Sequence, residues 1–511
     1  MLLADIVERN ARSFPDRQAL WFDEDTTRSW AALARRTHRL ANAIRGLTAP
    51  GERVAILAEN CPEYYECYYG VPDSGRVLTL LNYRLHPEEL LWILNDAEAT
   101  VLIAQSSYAA VLQDLRAELP FLREIVTVGP EVTGTSSYEA LLGAASDGRS
   151  PEADGDDPAW IVYTSGTTGR PKGAMLSHRN LLTAVVQSVV HYAPGPRARF
   201  LNAFPLCHVS GYMAITHQFR GGTVLQQGPW RPDAWLRTVE EQGVTSAGMA
   251  PSMMADVLDD PAIGHRDVSS LAALGYGSAG MPVGTLRRAV DRFGPIIFTG
   301  FGMTETAGNV LALDRETHAR AARGDDFLLE SAGAAMCMSE ARIVDEDGAE
   351  VPNGTVGELV VRGDQTTLGY LGRPEATAAA YADGWLHTGD LARKDDEGFF
   401  YIVDRKKDMI ITGGENVYST EVEHTLARHP AVAESAVFGV PDLHWGEAVA
   451  AAVVLRPGHH PTADDLMDFC RAHIAGYKRP RHVFFTDALP KTVTGKAMKH
   501  ELKRSFGRSL P

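Results

Sequence analysis

YTSGTTGRPKGAML, residues 163–176, sets hydroxyl side chains, three glycines and a lysine into one short stretch directly behind the apolar run Trp160-Ile161-Val162. An apolar strand that ends in such residues and leads on to a helix presents backbone amides and hydroxyls to an anion. Phosphate is the natural guest. Gly166 and Gly169 let the backbone come close, Thr164, Ser165, Thr167 and Thr168 donate hydrogen bonds, and Lys172 supplies charge. The order departs from the GxxxxGK[ST] pattern of a Walker loop. A generic run of this composition also reads as a flexible polar loop, so the rest of the chain has to decide.

Around this turn, short β-rich runs (RVAILA, TVLIA, IVTVG, TVLQQ, IIFTG) alternate with helical patterns such as PEELLWILNDA and DAWLRTVEEQG. Alternation of this kind predicts α/β layers with largely parallel sheets. Between about residues 340 and 404 the pattern changes to short strands with hairpin signals at Asp347-Gly348 and Glu397-Gly398. After Asp404 a charged cluster, RKKD, precedes a segment with its own helix and strand signals, TEVEHTLARH, AVAESAVFGV and DDLMDFCRAHI among them. The expected fold class is α/β: a large N-terminal domain of α/β layers with a β-rich subdomain, residues 1–404, plus a small mobile α+β C-terminal domain, residues 405–511. Residues 140–157, polar and glycine-rich, are expected as a surface loop.

Bulk properties narrow the function classes. A chain of 511 residues exceeds what one core usually serves. Its net charge of −16 argues against a general nucleic-acid binder, which needs a basic field. Cys61, Cys67, Cys207, Cys337 and Cys470 are scattered without CxxC spacing, so neither a disulfide framework nor a zinc site is predicted. The N-terminus carries Asp5 and Glu8 among its apolar residues and reads as an amphipathic helix rather than a signal peptide. No stretch approaches the roughly 18 apolar residues of a membrane span. A cytoplasmic protein is expected.

YTSGTTGRPKG resembles the phosphate-binding signature of the adenylate-forming superfamily, which includes acyl-CoA synthetases, adenylation domains of peptide synthetases and luciferases. Further matches follow in the family's order: Gly277-Ser278-Ala279-Gly280, GFGMTET (300–306), GELVVRG, GYLGRPEAT, GWLHTGD (384–390), DRKKDMIITGGENVYSTEVE (404–423) and PKTVTGKAMK (490–499). They run from about residue 160 to the end of the chain. The literal GxGxxG in GYGSAG (275–280) also invites a dinucleotide fold, but no acidic residue stands about 20 positions on, and the oxidoreductase reading falls.

The resemblance implies that a carboxylic acid attacks the α-phosphorus of ATP to give acyl-AMP and pyrophosphate, and that a thiol, by default coenzyme A, then displaces AMP. Residues 164–172 would clamp the outer phosphates, Thr304 would contact the α-phosphate, and Glu305 would hold Mg2+. Gly277, Ser278 and Ala279 would wall the adenine, on which Phe301 would stack beside Gly302; relatives commonly have tyrosine there, so the hydroxyl is lost and the ring kept. Asp390 and Arg405 would grip the ribose hydroxyls, for which a carboxylate is the apt acceptor. Lys496 would carry the cation of the adenylation step, Lys407 would be the hinge, and Gly413 and Gly414 would admit the pantetheine arm. His208 would stand at the mouth of the acid pocket, with Tyr276 and Met303 on its wall.

No charged group is evident around that pocket, which favours fatty or aromatic acids over amino acids. Because the sequence ends soon after Lys496, coenzyme A is the expected acceptor. A stand-alone adenylating enzyme that serves a carrier protein or another nucleophile is the alternative, and a non-catalytic ligand-binding member of the fold is the third.

Overall fold

The structure, a computed structural model, describes residues 1–506 except 23–25, 165–170, 278–279, 322–323, 325, 413–414, 443–444 and 493–495. Among the described residues the strands form four sheets. The first runs in the order Gly369–Tyr370, Lys172–Ser177, Pro158–Thr164, Val77–Leu80, Arg53–Leu57, Ala99–Gln105, Glu124–Val128, Ser136–Ser137. From Pro158–Thr164 to the far edge the neighbours are parallel. Lys172–Ser177 and Gly369–Tyr370 are antiparallel additions on the other side.

The second sheet has a parallel centre, Ile297–Met303, Ala273–Tyr276, Ser246–Met249, Arg199–Asn202, Thr223–Gln226 and Gln18–Phe22. Antiparallel strands finish it, Gly308–Leu313 and Ala334–Ala335 at one edge and Thr26–Ser29 at the other. Helices between the two sheets bury a common core. The helix Pro62–Asp73 (PEYYECYYGVPD) is buried on nearly every side, its enclosed acids Glu66 and Asp73 paired with Arg36 and Arg149. Its Tyr68 ring lies 4.4 Å from that of Trp160, in the strand that delivers Thr164. The helix His178–Tyr192 follows Lys172–Ser177 without a gap, opened by a reciprocal cap between Ser177 and Asn180 and closed by Ala193 in the left-handed region.

The segment 340–404 forms an antiparallel sheet of its own, Glu340–Val344, Gly357–Arg362, Trp385–Lys394, Tyr381–Ala382 and Phe400–Arg405. Both expected turns are present: Asp345 Oδ1 accepts from the Asp347 and Ala349 amides, and Asp395 closes the second through Gly398 and Phe399. The last sheet, starting at Ile410, carries the helices Ser419–Ala427, Ala463–His473 and Lys499–Phe506 around an interior of Val422, Val437, Val449 and Leu466. The expected loop 140–157 is shorter than predicted, because the helix Tyr138–Ala144 extends into it, capped by Ser137 and anchored by buried Leu142. Cys61, Cys67, Cys207 and Cys470 are buried free thiols and Cys337 is an exposed one. Among the described residues no helix is long and apolar enough to cross a membrane.

Candidate active site

Thr164, Lys172, Glu305, Asp390, Arg405 and Lys496, far apart in the sequence, come to one place. The strand Pro158–Thr164 ends at Thr164, which pairs with Lys172 at the start of the returning strand. Ser165, Gly166, Thr167, Thr168 and Gly169, the body of the expected phosphate loop, lie outside the described residues. Glu305 arrives from the second sheet, in the tight turn Thr304–Thr306 that ends the strand Ile297–Met303. It is 5% exposed, with its carboxylate 3.4 Å from the Thr164 hydroxyl. Tyr370 closes the group. Its hydroxyl donates to Glu305 Oε1 at 2.8 Å, and Lys172 Nζ stands 5.2 Å from its ring centroid. Burial and then the Glu305 charge push the Tyr370 phenol far up, so it remains a donor. Tyr370 lies within the quoted GYLGRPEAT, but sequence gave it no task because its partner is 65 residues away.

Glu305 Oε2 has no hydrogen-bond partner among the described residues, and among them no group of three or more histidine, cysteine or carboxylate side chains forms a metal cluster. One free carboxylate oxygen fits Mg2+, which keeps water and substrate oxygens in its shell and asks little of the protein.

Asp390 and Arg405 are paired across neighbouring strands, and the Arg405 Nε lies 2.7 Å from Asp390 Oδ1. Asp390 is 3% exposed, and its Oδ2 is buried without a partner among the described residues. A buried acceptor left open in this way calls for a donor from a ligand. Burial raises the Asp390 carboxyl pKa, opposed by Arg405 and then by Lys496. Lys496 reaches this place from the last sheet's domain, on a hairpin closed by Thr492 N to Lys496 O at 2.7 Å and by Lys496 N to Thr492 Oγ1 at 3.1 Å. Crowding in the cleft, then Arg405, lower the Lys496 ammonium below the ordinary lysine range, with Asp390 acting the other way. Water still reaches the residue. Lys407 is exposed in the short connection between the strands Phe400–Arg405 and Ile410–Thr412. Gly413 and Gly414 lie outside the described residues.

His208 precedes the turn Val209–Gly211, half-buried, with Nε2 enclosed and unpartnered among the described residues. Burial, then Arg84, push its pKa down to about 4, so the ring is neutral. Glycine is required next to it: a Cβ on Gly211 would lie 2.1 Å from the Tyr68 hydroxyl. Met303 is half-buried at the end of its strand, its amide donating to Thr306 Oγ1 at 2.9 Å. Phe301 is half-buried, in register with Leu311, and packs on the interior of the 340–404 sheet; Gly302 beside it is exposed. Gly277 lies partly open beside Gly300, whereas Ser278 and Ala279 fall outside the described residues.

Tyr276 is a correction. Instead of lining the pocket, its side chain enters the core with Leu274, and its hydroxyl lies 3.3 Å from His318 Nε2. Successive strand residues face opposite ways, so the other side at this point belongs to Gly275, covered by the Phe298 ring, and to Gly277, which is partly open. Two residues to which sequence gave no task, Tyr192 and Asn309, stand beside Gly300. Tyr192, Phe298, Ala312 and Met336 form an apolar wall with Met213 packed on it. There Asn309 Nδ2 donates to the Tyr192 hydroxyl at 2.9 Å, with both groups against the Gly300 α-carbon. The Tyr192 hydroxyl hydrogen and the Asn309 side-chain oxygen have no further partner among the described residues.

The family model of AMP-binding enzyme matches residues 7–371, and that of the AMP-binding enzyme C-terminal domain matches residues 421–496. A feruloyl-CoA synthase of Amycolatopsis sp is 40% identical over 98% of both chains. The fatty acid–acyl-carrier-protein ligase ScoC of Streptomyces coeruleorubidus is 32% identical over 94% of this chain and 92% of its own. Among solved structures, the amide bond synthetase McbA of Marinactinospora thermotolerans is 30% identical, with a TM-score of 0.88 over 99% of this chain and 100% of that one.

Proposed function

The chain belongs to the AMP-binding enzyme family, and from that premise we propose that it is an ATP-dependent acid:CoA ligase acting on aromatic acids that carry a polar substituent. The observation that carries the reaction is the meeting of Asp390, with its unmatched buried oxygen, and Lys496 from the other domain, in the cleft that also receives Arg405.

In the first half-reaction a carboxylate oxygen of the acid forms a bond to the α-phosphorus of ATP, and the bond to the bridging oxygen breaks to release pyrophosphate. Both reactants are anionic, so the site has to cancel charge and hold the attack in line. Lys496 stands where its cation meets both the acid carboxylate and the α-phosphate, with Thr304 donating a further hydrogen bond. Thr164 and Lys172, with residues 165–170, bind the outer phosphates. Glu305 would hold Mg2+, which neutralises phosphate charge when bound. Asp390 Oδ2 accepts from a ribose hydroxyl, Arg405 fixes the carboxylate that does so, and Phe301 and Gly277 bracket the base. No general base is needed, because the acid is ionised at neutral pH. In the second half-reaction the thiol sulfur bonds to the acyl carbon, its proton goes to solvent, and AMP leaves. A turn about Lys407 would withdraw Lys496 and bring residues 413–416 to the cleft for the thiol's arm.

For the acid, the apolar wall with one polar point favours a flat apolar body bearing a hydroxyl, since a hydroxyl both donates and accepts. The feruloyl-CoA synthase relative supports an aromatic acid and coenzyme A; the carrier-protein ligase and the amide bond synthetase keep two other acceptors to test. Incubation with ATP, Mg2+ and a panel of hydroxylated and plain aryl acids and fatty acids, with pyrophosphate and AMP recorded, decides the reading. Acid-dependent pyrophosphate and CoA-dependent AMP turnover are expected, fastest with hydroxylated aryl acids. AMP turnover that responds only to a carrier protein or an amine would overturn the choice of CoA.

A further inference from the structure

Asp404 ends the N-terminal part of the molecule, on the strand Phe400–Arg405, and is 4% exposed. Its Oδ1 accepts from the Arg405 amide at 2.7 Å. Its Oδ2 accepts twice from Ser419, from the backbone amide and from the hydroxyl, the latter at 2.7 Å. Ser419 is the first residue of the helix Ser419–Ala427, which belongs to the other domain, and that helix has no side-chain cap of its own from Tyr418. The unpaired amides and positive end of a helix favour a carboxylate; here the carboxylate is supplied from across the domain boundary.

Lys499 completes the connection. Its Nζ donates to the Ser419 hydroxyl and lies 2.9 Å from a Glu423 carboxylate oxygen on the same helix. Lys499 opens the helix Lys499–Phe506 and stands three residues after Lys496. The intervening Met498 amide donates to Pro490 O at 2.8 Å, which ties the Lys496 hairpin to the same base.

We propose that Asp404, Ser419 and Lys499 form a latch that holds the C-terminal domain in the orientation for adenylation and so positions Lys496 over the cleft. These are positioning residues: the Asp404 carboxylate is spent on Arg405 and Ser419, and Lys499 on Ser419 and Glu423. Hydrogen bonds to ionised groups are the stronger ones, and breaking them leaves a buried carboxylate short of donors. A turn about residues 405–407 separates Asp404 from Ser419, so the latch opposes departure from the adenylation orientation and has no place in the thioester-forming one.

The test uses Asp404→Asn, Lys499→Met and the conservative Lys499→Arg in the full chain. Arg405-Lys406-Lys407 is a run of tryptic sites at the boundary. The latch predicts cleavage there several-fold faster in Asp404→Asn and Lys499→Met than in the parent, with Lys499→Arg close to the parent and all melting temperatures alike. The catalytic consequence rests on the ligase reading: single-turnover acyl-AMP formation falls about tenfold, while thioester formation from supplied acyl-AMP and CoA keeps its rate. Unchanged cleavage, or an equal loss in both half-reactions, overturns the latch. Faster cleavage in a protein whose parent forms acyl-AMP from no acid upholds the latch and overturns the ligase reading.

Discussion

Tyr370 touches the chemistry through one oxygen. Its hydroxyl and the Thr164 hydroxyl converge on Glu305 Oε1 and leave Oε2 for the Mg2+ proposed there. Tyr370→Phe removes a hydrogen bond to a charged group, worth about 1.5–3 kcal/mol. The expected result is a roughly tenfold or greater fall in kcat/KM, together with a higher half-saturating Mg2+ concentration in a titration at saturating ATP. A fall in rate with unchanged Mg2+ dependence would detach Tyr370 from the cation. In the proposed acid pocket, Asn309→Leu deletes the polar point and keeps the volume. It is expected to lower kcat/KM for a hydroxylated aryl acid by about tenfold or more and to spare the unsubstituted acid, the asymmetry of a site built for a hydroxyl. Equal effects on the two acids would show that the Asn309–Tyr192 pair serves packing alone.

Helices and strands explain both what was legible in the sequence and what was not. The phosphate-loop strand, the hairpins at 347–348 and 397–398 and the helices of the last domain announce themselves, because apolar period and turn chemistry are local properties. Tyr276 misled because motif position outranked strand alternation, although Leu274 and Tyr276 share one face and Gly275 and Gly277 the other. Tyr192 was invisible: it closes an ordinary-looking helix, and its partner Asn309 is 117 residues away. Three helices also carry buried histidines that nothing local predicts. His178 Nδ1 accepts from the Leu3 amide, His217 stacks on Phe200 at 4.0 Å, and His318 lies against Tyr276. Burial takes each down to about 4 from an ordinary 6.5. Above pH 6.5 both folded and unfolded states are neutral at these sites. Below it the unfolded chain takes up protons that the folded one refuses, so stability falls from pH 6.5 downward, and the loss is complete below about 4. Each histidine costs roughly 1–2 kcal/mol at pH 5. Thermal melts between pH 7 and 4.5 should therefore show a steep decline, made shallower by His217→Gln.

At the scale of the whole molecule, the cleft is built by parts that meet only in three dimensions: Thr164 and Lys172 from the first sheet, Glu305 from the turn that ends a strand of the second, Asp390 and Arg405 from the third, and Lys496 from the segment that precedes the last helix. Sequence motifs named these residues, but their convergence is a product of packing, and the latch across the boundary is visible only in it. The assembly predicts a separable failure. Lys496→Ala should lower acyl-AMP formation by roughly 10²–10³ and leave thioester formation from supplied acyl-AMP within a factor of about two; parallel losses would mean that the hairpin serves both steps.

The distribution of sulfur gives the experimenter a handle. With four thiols enclosed and Cys337 outside, a chromogenic disulfide reagent should titrate one equivalent in the native protein and five in denaturant. Since the Cys337 amide is bonded to His191 and Met336 packs in the cluster with Tyr192, a fluorophore on that single sulfur sits behind the proposed acid pocket, where a change in emission on adding the acid would report binding without any turnover.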